Sequence, residues 1–124
     1  MSNQSTILII EDDPTLGELL STHMNKKGIP FELVTEGGKG LAKAEQCNPA
    51  LIILDLLLPD MSGYEVLEQL KNRPSLSLIP VIILSNLSQE DEKRSALALG
   101  ARDFLVKSEV DLDRVVEVIG AIIR

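Results

Sequence analysis

The sequence predicts an α/β fold, a doubly wound, five-stranded parallel sheet in the strand order 2-1-3-4-5 with helices on both faces. Short apolar runs alternate with longer amphipathic stretches along all 124 residues, which is the rhythm of repeated βα units. Three of the runs, 7–10, 51–54 and 81–84, are apolar at every position. Strands covered on both faces read that way, whereas half-exposed strands alternate. The length suits one domain of five βα units joined by right-handed crossovers.

Residues 6–10 form the first expected strand. Asp13-Pro14 follows, an N-cap residue ahead of a proline in the first turn. Leu16, Leu19, Leu20 and Met24 then recur at helical spacing, and Gly28 closes the helix as a C′ glycine. His23 falls on the same stripe and reads as a core-edge histidine. Residues 31–34 are the second strand. The stretch 38–46 is the weakest helix, because Gly37, Gly38 and Gly40 surround its start. Gly37-Gly38-Lys39-Gly40 lacks the full phosphate-loop pattern and is expected to be a flexible turn. Cys47 is expected as a small buried hydrophobe.

The third strand is 51–54. Ser62-Gly63-Tyr64-Glu65 is a capping box ahead of Val66, Leu67 and Leu70. Met24 and Met61 read as packing residues. The fourth strand is 81–84. Ser88-Gln89-Glu90-Asp91 is a looser start signal for a helix that runs to Leu99, with Gly100 as its stop. The fifth strand is 104–106. The last helix carries Leu112, Val115, Val116, Ile119, Ile122 and Ile123, with Val118 and Ala121 beside them. That apolar surface is wider than one buried face requires.

Composition narrows the function. Lys and Arg number 12 against 19 Asp and Glu, a net charge of −7. Nucleic acid and anionic lipid should repel such a chain. The single Cys47 excludes an internal disulfide and a Cys-based metal site, and the single His23 leaves no His-rich zinc site. No apolar run approaches the ~20 residues of a membrane span. The polar opening residues carry no signal peptide, so a cytoplasmic location is expected.

In open α/β sheets the ligand site lies beyond the carboxyl ends of the strands. Glu11, Asp12 and Asp13 follow the first strand, Asp55 the third, Ser85 the fourth and Lys107 the fifth. Clustered carboxylates repel and need a cation or a shared proton. Hard oxygen ligands suit Mg2+. An aspartate beside Mg2+ can act as a nucleophile toward phosphorus, and Lys107, Ser85 and the metal would stabilise a transferring phosphoryl group.

Residues 7–13 (Ile-Leu-Ile-Ile-Glu-Asp-Asp), 54–63 (Leu-Asp-Leu-Leu-Leu-Pro-Asp-Met-Ser-Gly), the strand ending in Ser85 and 100–107 (Gly-Ala-Arg-Asp-Phe-Leu-Val-Lys) resemble bacterial response-regulator receiver domains. The resemblance spans essentially the whole chain. It implies a flavodoxin-like (βα)5 fold in which Asp55 accepts a phosphoryl group from the phosphohistidine of a sensor histidine kinase or histidine phosphotransfer protein. It implies Glu11 and Asp12 as the acidic pair, Asp12 as a direct Mg2+ ligand, and Asp55 and the backbone carbonyl of Leu57 as further ligands. Ser85 and Phe104 match the hydroxyl and aromatic that reorient on phosphorylation. Phe104 is expected to move inward behind Ser85. The face of the fourth helix, fifth strand and fifth helix would then bind a downstream protein or form a homodimer.

The pattern departs from the family in two places. Asn86 replaces a small residue after the hydroxyl. Ser108 replaces the proline that usually follows the lysine in a cis peptide, and a cis bond before a non-proline residue costs roughly 2.5–4 kcal/mol. Leu57 and Leu87 flank the expected path of the attacking water and cannot hydrogen-bond to it, so a long-lived phosphorylated state is expected. With no output domain expected within residues 1–124, the leading reading is a stand-alone phosphoacceptor switch. It could equally be one domain of a longer protein. A binding-only pseudo-receiver is the alternative. An aspartyl-phosphate hydrolase fits less well, since Leu57 stands where such enzymes place a second acid.

Overall fold

A computed structural model describes residues 6–86 and 89–123. Its elements are β1 (Ile7–Ile10), α1 (Pro14–Lys27), β2 (Phe31–Val34), α2 (Gly37–Cys47), β3 (Leu51–Leu54), α3 (Gly63–Asn72), β4 (Val81–Ser85), α4 (Glu90–Ala98), β5 (Asp103–Val106) and α5 (Leu112–Ile123). The five strands form one sheet in the order β2-β1-β3-β4-β5, and every neighbouring pair is parallel. The expected architecture and order are those observed.

The uninterrupted apolar runs are explained by what lies on each face. Ile7 and Ile9 of β1, Leu51 and Ile53 of β3, and Ile82 and Leu84 of β4 pack with Leu20 and Met24 of α1 and Val115 and Ile119 of α5. The alternate residues, Leu8, Ile10, Ile52, Leu54, Val81 and Ile83, pack with Leu41 of α2, Val66, Leu67 and Leu70 of α3 and Ala96 of α4. A strand between two helix layers has no solvent face for a polar residue. Complete burial of each such side chain is worth about 1.5–3 kcal/mol.

The helix ends follow local chemistry. The Asp13 carboxylate accepts from the Thr15 amide at 3.0 Å and caps α1. Gly28 ends α1 at φ +70°, and the Ser62–Glu65 capping box opens α3. Gly100, at φ +109°, follows the α4 C-cap Leu99.

Several expectations need correction. Gly37 to Gly40 are not a flexible turn but the opening of α2. The glycines sit there because neighbours press close: a Cβ at Gly40 would come within 2.5 Å of the Ile10 side chain. Cys47 is half-buried. β4 includes Ser85, which pairs with Val106. Lys107–Ser108, whose geometry the sequence left open, is trans, since among the described residues no peptide bond is cis, in keeping with the cost of a cis bond before a non-proline residue. The start signal placed on Ser88 and the expectation for Leu87 fall outside the described residues.

Candidate functional site

The sheet order places β1 and β3 side by side in the middle of the fold, with α1 and α2 leaving toward opposite faces. At their carboxyl ends the backbone is fixed by the ladder itself. The Asp55 amide donates to the Ile10 carbonyl, and the Glu11 amide to the Val34 carbonyl, each at 3.0 Å. The two acids are therefore brought together by parallel registry, although 44 residues separate them in the chain.

Glu11 is 2% exposed and Asp55 4%, while Asp12 points to solvent. One carboxylate oxygen from each of the three lies within 4.8 Å of the others. The Lys107 ammonium reaches in from the end of β5. It is 2.9 Å from Glu11 Oε1 and donates to Asp55 Oδ2 at 3.2 Å. The Asp13 amide donates to Glu11 Oε2 at 3.0 Å, and the Leu57 amide to Asp55 Oδ1 at 3.3 Å. Lys107 is held in place by its own amide, which donates to the Ser85 carbonyl at 2.8 Å.

Charge in this cluster is only partly compensated. Burial, above all, pushes the Glu11 carboxyl up to about 7; the Asp13 amide and Lys107 oppose the shift, and the negative charge of Asp55 adds to it. Burial alone would lower the Lys107 ammonium, but its bond to Glu11 and the charges of Glu11 and Asp55 outweigh that and raise it. Both shifts have one sense. Glu11 and Lys107 each hold a proton more tightly than the isolated group would. A hard divalent cation relieves the same repulsion, and an all-oxygen donor set with an open, solvent-facing member fits Mg2+.

Ser85 is fully buried at the end of β4. Phe104 pairs with Ile83 in the sheet and is 4% exposed. Its ring lies inside the fold, packed with the cluster that holds Ile83 and Ala96. Asn86 is exposed. Leu57 is 57% exposed beside the acids, an apolar rim on a polar site. His23 is half-buried, with Nδ1 3.0 Å from the Leu19 carbonyl, and lies on α1 as a core-edge residue.

Asp60 was not singled out by the sequence reading. Its carboxylate accepts from the Gly37 and Gly38 amides at 2.7 and 2.9 Å. No local spacing signals this pairing, because its partners are 23 and 22 residues away.

The family model described as the response regulator receiver domain matches residues 7–120. Protein PilH of Pseudomonas aeruginosa is 34% identical over 117 residues, covering 94% of this chain and 96% of PilH. The DNA-binding dual master transcriptional regulator RpaA of Synechocystis is 36% identical over 118 residues, covering 95% of this chain but 48% of RpaA. The chain thus spans about half the length of that relative. Among solved structures, the signal receiver domain of a signal transduction histidine kinase from Syntrophus aciditrophicus superposes with a TM-score of 0.86 at 34% identity, over 96% of this chain and 89% of that one. No helix among the described residues is long and apolar enough to cross a membrane.

Proposed function

Since this chain belongs to the response regulator receiver domain family, the phosphoacceptor switches of two-component signalling, we propose that Asp55 is its phosphoacceptor and that Mg2+ is required for the transfer. The observation that carries the reading is the Lys107 ammonium bridging two buried acids at the carboxyl ends of β1 and β3. In the transfer an Asp55 carboxylate oxygen attacks phosphorus. The bond from phosphorus to the donor's imidazole nitrogen breaks, and that nitrogen keeps the electron pair. Glu11, Asp12, Asp55 and the Leu57 carbonyl would hold Mg2+, whose charge stabilises the phosphoryl oxygens. Lys107 can leave its bond to Asp55 and pair with the new phosphoryl charge, while Ser85 supplies a hydroxyl beside it.

The donor in this reading is a sensor histidine kinase or a histidine phosphotransfer protein. The match covers 96% of PilH but 48% of RpaA, so in this reading the switch acts either alone or as one domain of a longer protein. Its output is a protein contact on the face of α4, β5 and α5, with a downstream partner or a second phosphorylated copy. Leu97 on α4 is 42% exposed and Ala121 on α5 is exposed, which gives that face apolar area. The acceptor, acids and lysine lie together, which favours this reading over a binding-only module.

The test is phosphorylation by acetyl phosphate with and without Mg2+. A base-labile mass increase that needs Mg2+ and is absent from Asp55→Asn is expected. Labelling that persists in Asp55→Asn, or that ignores Mg2+, refutes the reading.

A further inference from the structure

Asp60 lies in the loop between β3 and α3, on the same segment as Asp55 and Leu57. Its two carboxylate oxygens each accept one amide from the first turn of α2, Gly37 at 2.7 Å and Gly38 at 2.9 Å. The N-cap residue of α2, Glu36, makes no side-chain cap bond. The helix is therefore capped from another part of the chain. These two amides hold the Asp60 carboxyl below the usual carboxylate range, as charge-assisted bonds at a helix start do. A glycine at 37 admits the loop: a Cβ there would come within 2.5 Å of Met61 Cγ.

The other end of the loop is closed as well. The Gly63 amide donates to the Leu56 carbonyl at 2.9 Å, and Leu57 bridges to Ser62. Leu57 in turn donates its amide to Asp55 Oδ1. The acceptor carboxylate thus leans on a loop that is pinned at its base by backbone bonds and at its tip by Asp60.

We propose that Asp60 is a positioning residue for the phosphoacceptor: by tying the β3–α3 loop to the first amides of α2 it holds Leu57, and through it Asp55, in the geometry that takes Mg2+ and a phosphoryl group. This rests on the phosphoacceptor reading. A plain helix cap would predict the same bonds, so the test must separate capping from tethering.

Asp60→Ala removes both. Asp60→Ala combined with Glu36→Asp returns a cap from the N-cap position itself, where aspartate is favoured, without restoring the tether. Three quantities are read on each protein: the thermal midpoint, hydrogen exchange of the Leu57 amide without metal, and Mg2+ affinity by calorimetry. The double variant is expected to regain the midpoint, while Leu57 still exchanges faster and Mg2+ still binds on the order of tenfold more weakly than in wild type. A double variant that regains wild-type exchange and affinity makes Asp60 a cap only and overturns the proposal. So does Asp60→Ala with both quantities unchanged. If Glu36→Asp does not restore the midpoint, Leu57 exchange compared at matched stability in a stabilising osmolyte draws the same distinction. Acetyl phosphate labelling of the wild type runs alongside. Wild type that binds Mg2+ yet gains no phosphoryl group at Asp55 overturns the phosphoacceptor reading, while exchange and affinity still decide the role of Asp60.

Discussion

Lys107 has two jobs that pull against each other. Before any phosphoryl transfer it neutralises part of a buried acidic cluster through Glu11 and Asp55. Afterwards it is needed by the phosphoryl oxygens. Lys107→Ala leaves Glu11 and Asp55 buried without their cation, and loss of one partner from such a cluster costs about 3 kcal/mol. Thermal unfolding should show this loss at pH 7.5, less of it at pH 5, and recovery on adding Mg2+. Asp12 is exposed, so Asp12→Asn should change stability by no more than about 0.5 kcal/mol. It should nonetheless abolish Mg2+-dependent labelling by acetyl phosphate. Leu57, also exposed beside the acids, offers an attacking water no hydrogen bond. Because misplacing a reacting group can cost on the order of 10²-fold, Leu57→Asn with Leu87→Glu should hasten loss of phosphate at fixed Mg2+. A double variant that decays no faster than wild type would contradict this.

At the scale of elements, the site depends on how closely loops and helices approach. Gly63 opens α3 directly under the acceptor, and a Cβ there would collide with the Asp55 carbonyl and with Leu56 Cα, which are backbone atoms that cannot rotate away. Gly28 ends α1 at φ +70° in open space, where a side chain meets only the left-handed backbone penalty of about 1–2 kcal/mol. Gly63→Ala should therefore lower the denaturation midpoint more than Gly28→Ala, and only Gly63→Ala should also weaken Mg2+ binding. Equal losses, with Mg2+ affinity intact in both, would show that the α3 start moves independently of the acceptor.

For the whole molecule, the buried acids link stability to pH. Folded Glu11 titrates at about 7 rather than at 4.5. Between those values the folded state binds more protons than the unfolded state, so stability falls as pH rises through the window. The thermal midpoint of metal-free protein should drop from pH 5 to pH 7.5. Mg2+ should raise it more at the higher pH, where it competes with fewer protons. Lys107 acts in the alkaline range: its raised value gives stability that is kept through neutral pH and lost as the ammonium titrates. A midpoint that climbs steadily from pH 5 to 7.5 without metal would mean that Glu11 is not held in a proton-retaining environment.

The fold class and most element limits were legible in the chain because they rest on local chemistry, and the strand order followed from that class and the chain length. Residues 51–54 are apolar at each position because both faces of β3 are covered. Ser62, Asp13 and Gly28 mark helix ends through bonds to their near neighbours. Asp55, Glu11, Asp12 and Lys107 were legible for a related reason, since strand ends are found by counting and a parallel sheet gathers them at one edge. The tertiary structure alone decided what depends on distant partners. It turned Gly37 to Gly40 into a helix start, because a carboxylate from the β3–α3 loop caps it. It placed Phe104 already inside the fold and left Cys47 half-buried. Periodicity tells a residue which face it occupies, but only the packed chain determines which distant atom meets it there.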